Sequence, residues 1–121
     1  MLGWKVMGAG IPGLAVMALT QDCGAALTAA GTTQGTALEL GNSDNEVTTA
    51  AAGSGVILSS KIAPGDVQTV FNAGANAVKV YPPTGMRINA LSSNVAMLLA
   101  VNTGCLFKCV STTRIFGVLS A

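Results

Sequence analysis

From residue 26 to residue 119 the chain alternates short runs of Val, Thr, Ile, Leu and Phe with clusters of Gly, Asn, Pro and Ser. Runs of this length, punctuated this often, predict β-strands, here near residues 26–30, 36–41, 46–51, 55–59, 66–71, 76–81, 86–88, 95–101, 105–111 and 114–119. A two-residue period is legible inside several of them. Val67, Thr69 and Phe71 share one face of a strand and Asp66, Gln68 and Val70 the other, while Val78 and Val80 oppose Lys79 and Tyr81. Gly74-Ala75-Asn76 lies between two such runs and reads as a short hairpin turn. Ala63-Pro64-Gly65-Asp66 and Pro82-Pro83-Thr84-Gly85 read as turns in which Pro stiffens the chain and Gly is free to take positive φ. The pattern predicts an all-β domain over residues 26–121, a β-sandwich of jelly-roll type or a short barrel.

Residues 1–25 differ from the rest. The stretch MLGWKVMGAGIPGLAVMAL carries one charge, Lys5, and is interrupted by Gly10-Ile11-Pro12-Gly13. It imitates a secretory signal, but the single Lys, the interruption and the absence of a small-x-small pattern in the following TQDC argue against cleavage. The same interruption leaves it short of the roughly 20 apolar residues a transmembrane helix needs. The preferred reading is an arm over residues 1–10 followed by a short helix opened by Pro12. Trp4, Val6, Met7, Ile11, Leu14 and Met17 are then candidate anchors on a partner.

Composition narrows the chemistry. Half of the 121 residues are hydrophobic, 9% are charged against roughly 25% in an average soluble domain, and none is His. Without His there is no Ser-His-Asp or Cys-His arrangement, and the commonest acid–base group and metal ligand is missing. Six basic and five acidic residues leave a net charge of +1, with the basic ones scattered singly, so the sequence predicts neither a nucleic-acid footprint nor attraction to anionic membrane. So few charges fit a surface partly covered by copies of the chain or by a partner. The apolar run Val95-Ala96-Met97-Leu98-Leu99-Ala100-Val101 is the candidate for an inner strand or an oligomer seam, with Val95, Met97, Leu99 and Val101 on one face.

Individual motifs weigh against an enzyme, a cofactor or a metal. Cys105 and Cys109, in one strand, would lie about 13 Å apart, too far for a disulfide. With Cys23 they read as structural thiols. Asp44 and Glu46 are the only close carboxylates, and beside Asn42 and Asn45 they read as solvated turn residues, because the spacing is not that of a calcium loop. Gly8, Gly10 and Gly13 imitate a dinucleotide fingerprint without the strand, turn and helix that give it meaning.

Two stretches carry a resemblance. They are Leu27-Thr28-Ala29-Ala30-Gly31-Thr32-Thr33-Gln34-Gly35-Thr36-Ala37-Leu38, and Asn72-Ala73-Gly74-Ala75-Asn76-Ala77-Val78-Lys79-Val80-Tyr81-Pro82-Pro83-Thr84-Gly85 with Ile88-Asn89, followed by Phe107 and Ser111. Over residues 27–119 the chain resembles small β-rich virion proteins of tailed bacteriophages, most of all capsid decoration (cement) proteins. The run at residues 95–101 and the cysteines depart from that pattern. The resemblance implies a structural protein of the capsid surface, made in the host cytoplasm. It also implies symmetric binding, as a homotrimer, to the major capsid protein, no catalytic residues, and an arm that reaches onto the lattice. A tail-fibre, spike or head-fibre attachment module is the alternative in the same class. An exported β protein with a cleaved leader is the alternative outside it.

Overall fold

The computed structural model describes residues 23–120. The arm, the short helix and the anchors Trp4, Val6, Met7, Ile11, Leu14 and Met17 lie outside the described residues. Each expected run contains a strand: β1 (Cys23–Thr28), β2 (Leu38–Glu39), β3 (Asp44–Thr49), β4 (Gly55–Ile57), β5 (Val67–Asn72), β6 (Val78–Tyr81), β7 (Arg87–Ile88), β8 (Met97–Leu99), β9 (Thr103–Cys109) and β10 (Arg114–Leu119). The first strand takes in Cys23, Gly24 and Ala25, which had been assigned to the arm. Among the described residues there is no helix.

The strands form a six-stranded sheet, ordered β1-β3-β5-β9-β10-β7, and a four-stranded sheet, ordered β2-β4-β6-β8. Odd and even strands alternate between the sheets up to β9, so the chain coils. Asp44 lies beside Cys23 and Thr69 beside Asp44 in the first sheet, and Val56 lies beside Leu38 and Val80 beside Val56 in the second, every pair parallel. A parallel pair needs a crossover connection, and here the crossover is a strand of the facing sheet. The coil then reverses: β8 runs antiparallel to β6, and β9 antiparallel to β5 and β10. The all-β expectation therefore holds, but the connectivity is solenoid-like and lacks the antiparallel neighbours that a jelly roll requires in these positions.

The two sheets share one interior. Val47, Val70, Phe107 and Ile115 of the larger sheet pack in one cluster with Val56, Val78, Val80 and Leu99 of the smaller. Medium-sized β-branched residues suit this space because a coil brings equivalent positions of successive turns side by side at one strand spacing, about 4.8 Å. Phe107 is the one Phe that is fully buried, and it lies opposite Gly117 of β10, where a side chain would crowd the ring.

Polar side chains close the corners of the coil. The Gly74-Ala75-Asn76 turn joins β5 to β6 in the other sheet and so makes a corner, where a hairpin had been expected. Asn72, fully buried at the end of β5, accepts from the Gly74 N–H at 2.9 Å and donates through Nδ2 to the carbonyls of Asn76 at 2.9 Å and Leu99 at 3.0 Å. Those bonds turn the chain out of the sheet and tie the corner to the facing one. Gln68 does the same at the other end of β5, donating to Leu40 and Asn42 carbonyls at 3.2 and 2.9 Å and accepting from the Ser59 N–H at 3.0 Å. The expected turns at Pro64-Gly65 and Pro83-Thr84-Gly85 form, with Gly65 at φ 96° and Gly85 at φ 86°.

Candidate functional site

The alternation that fills the interior also determines what the larger sheet shows to solvent. Its outward side chains fall into register across the strands. One row is Asp44, Thr69, Leu106 and Val118; the next on one side is Val67, Lys108 and Phe116; on the other it is Glu46, Phe71 and Gly104. Of these, Val67, Phe71, Leu106, Phe116 and Val118 stand between 41% and 53% exposed. Five large apolar side chains on adjoining strands make a patch of roughly a few hundred Å², the size of the largest apolar patch on an ordinary monomer, which is often functional.

Charge on this face is segregated. Asp44 and Glu46 are exposed on β3, beside the patch at one corner, whereas Lys108 within it and Arg114 and Arg87 at the diagonal corner are basic. The side chains of Glu46, Lys108, Arg87 and Arg114 have no hydrogen-bond or ion-pair partner among the described residues. Asp44 accepts from the Thr69 hydroxyl at 2.5 Å and from the Cys23 thiol at 3.9 Å. Asp44 and Glu46 are thus strand residues and not the solvated turn residues expected. Asn45 points the opposite way, into the interior, where Nδ2 donates to the carbonyls of Asn42 and Thr69. Strand alternation sends the amide to the interior and the carboxylates to the outer face, so their oxygens do not converge. Among the described residues no group of three or more Cys, Asp or Glu side chains could hold a metal ion.

The candidate seam over residues 95–101 is divided by the fold. Only Met97 to Leu99 are paired as a strand. Leu99 is fully buried and Met97 packs against the core, so these two serve the subunit's own interior and Leu99 is unavailable to a partner. Val95 and Val101 are exposed at 42% and 39%, and Leu98, on the opposite side of the strand, is 64% exposed. The larger sheet's outer face was not singled out from sequence. A signal for it exists in β9, where Leu106 shares a face with Lys108 while Cys105, Phe107 and Cys109 fill the other, so that apolar residues stand on both faces.

A cleft of about 400 Å³ opens between Gly41, Asn42, Ser43, Ser59, Lys61, Ile62 and the start of β5. Its polar wall is already engaged, since Gln68 makes the three bonds described above and Asp66 accepts from the Ala63 N–H at 2.9 Å. The cleft reads as a by-product of the corner.

The thiols are free, with Cys23 exposed and Cys105 and Cys109 buried. Burial pushes the Cys105 thiol up to about 11 and raises Cys109 as well. In the folded protein a thiol reagent near neutral pH should therefore modify Cys23 within minutes, and Cys105 and Cys109 only on unfolding. Counting modified thiols with and without denaturant by mass spectrometry checks this; a fast second thiol in the native state would mean that β9 opens. Because the unfolded chain gives up these protons near pH 9.0 while folded Cys105 keeps its own to about 11, stability should fall as pH rises through that window.

Comparison of the chain with protein-family models, with curated proteins and with solved structures gives no match.

Proposed function

We propose that this chain is a structural, adhesive protein of a bacteriophage particle that binds the assembled capsid lattice and stabilises it. The observation that carries the adhesive part is the outer face of the six-stranded sheet, with five large apolar side chains held in register on a rigid sheet and unpaired charges at its border. Surface of this kind is costly in water and gains when covered. The capsid as destination rests on the sequence resemblance, with the N-terminal arm as the element that reaches the major capsid protein. A protein that binds the assembled lattice and not its separated subunits stabilises the shell by mass action.

The test is to mix purified protein with undecorated, expanded capsids. Binding should saturate at a fixed copy number per lattice unit and raise the temperature at which shells disrupt. Protein found only at the tail in particle micrographs would overturn the capsid reading. It would favour the attachment-module alternative, which the coil supports because β1 and β2 leave free strand edges at one end among the described residues.

A further inference from the structure

The adhesive face of the six-stranded sheet has a layout that points to its occupant. We infer that it pairs with the same face of a second copy of this chain, about a two-fold axis lying in the plane of contact, with the two sheets crossing near a right angle. This rests on the reading of that face as an adhesive surface, and not on the capsid as the destination.

Three features of the face lead there. The first is size. Strands β3, β5, β9, β10 and β7, of six, six, seven, six and two residues, at about 4.8 Å and about 3.3 Å per residue give roughly 430 Å² per copy, hence about 850 Å² when two are joined, the size of a weak, reversible contact. The second is composition, because Val67, Phe71, Leu106, Phe116 and Val118 form an apolar centre that Lys108 alone interrupts, and the other charges stand towards two corners, the arrangement of a protein–protein contact.

The third feature is charge complementarity of the face with itself. Asp44 and Glu46 occupy one corner, at β3; Lys108 and Arg114 lie along the diagonal from it, at β9 and β10, with Arg87 beyond them on β7. A two-fold axis drawn across that diagonal lays the acidic corner of each copy on the basic side of the other. The strand and residue spacings make the diagonal run at about 45° to the strands, so the operation crosses the sheets at about 90°, one of the two ordinary modes of sheet packing. Isologous contacts of this kind close on themselves, so assembly stops at two across this face. Opposed charges here set orientation and exclude other registers.

The full chain is expected to sediment as a dimer. Phe116→Glu, an exposed position, should leave the β-type circular dichroism spectrum unchanged and raise the dimer dissociation constant at least about 30-fold. The decisive experiment uses two charge reversals. D44K/E46K alone opposes basic to basic, and K108E/R114E alone opposes acid to acid, so each should be monomeric. Mixed, the two restore opposite charge at both contacts and should form a heterodimer. A wild-type monomer at high micromolar concentration overturns the inference, as does a trimer or larger species indifferent to the reversals, or a mixture that fails to associate although both variants are folded. A monomer in which a Phe116→Cys thiol, followed by peptide mapping, resists maleimide assigns the face to the chain's own N-terminal residues and also overturns it. A dimer that does not bind capsids keeps this inference and removes the capsid destination, whereas a monomer that decorates capsids does the reverse.

Discussion

Replacing Phe107 by alanine is expected to cost about 3–5 kcal/mol of folding stability, the largest loss from any single truncation in this protein. The side chain is fully buried, pairs across the sheet with Gln68 on β5 and Gly117 on β10, and lies in the slot that Gly117 leaves open, where a β-carbon would come within 3.3 Å of its ring. The surrounding walls are strands laced to one another on both sides, so they cannot collapse into the space, and a cavity that cannot collapse is what makes such truncations expensive. The neighbours in the cluster are mostly Val, Leu and Ile, too short to swing in. A domain of this size has about 5–15 kcal/mol in all, so the variant should be partly unfolded at 37 °C. Urea denaturation should show a lower midpoint with an unchanged slope. A loss under about 1 kcal/mol would mean that the interior repacks. Phe107→Leu, which refills most of the volume, should recover more than half of the loss.

Asn72→Ala is expected to cost about 2–4 kcal/mol, although it removes little apolar volume. Its amide makes three bonds at once: it accepts from Gly74 N–H within the corner, and donates to Asn76 O in the corner and to Leu99 O in the facing sheet. Alanine leaves buried donors and acceptors stranded, each at about 1–3 kcal/mol, less whatever water recovers near Asn76. Hydrogen exchange separates this from a general loss, because the Gly74 amide should lose protection beyond the global change. Equal loss at all amides would assign Asn72 only a packing role. Asn72→Asp is the sharper variant. It keeps the acceptor but at neutral pH sets a carboxylate against two carbonyl oxygens, so its stability should be lost as pH rises through the ordinary carboxylate range and regained on acidification.

These two residues also show how far a sequence can be read. Phe107 was legible as part of a strand and Asn72 as the edge of a turn, since both follow from period-two alternation and from Gly, Asn and Pro punctuation, which are local signals. That Asn72 redirects the chain into another sheet was not legible. A Gly-Ala-Asn turn has the same chemistry in a hairpin and in a corner of a coil, and the difference lies in the bond to Leu99, a partner far along the chain. The candidate site followed the same rule. The run at residues 95–101 drew notice as the longest apolar word, yet its Leu99 is interior. The exposed patch is assembled from β5, β9 and β10, which lie far apart in the chain and meet only through their pairing.

By itself, then, the sequence determined that ten short strands follow one another up to residue 119, that acid–base chemistry dependent on His is absent, and that the few charges leave much of the surface apolar. Those properties reside in single residues and nearest neighbours. Tertiary structure alone decided that the strands coil between two sheets with parallel partners, which side of each strand is buried, and that Val67, Phe71, Leu106, Phe116 and Val118 meet on one face with acid and base on opposite sides. Register is the reason. A shift of one residue in the pairing of β5 with β9 would turn the opposite set of side chains outward, and that register is held by contacts between strands distant in the chain.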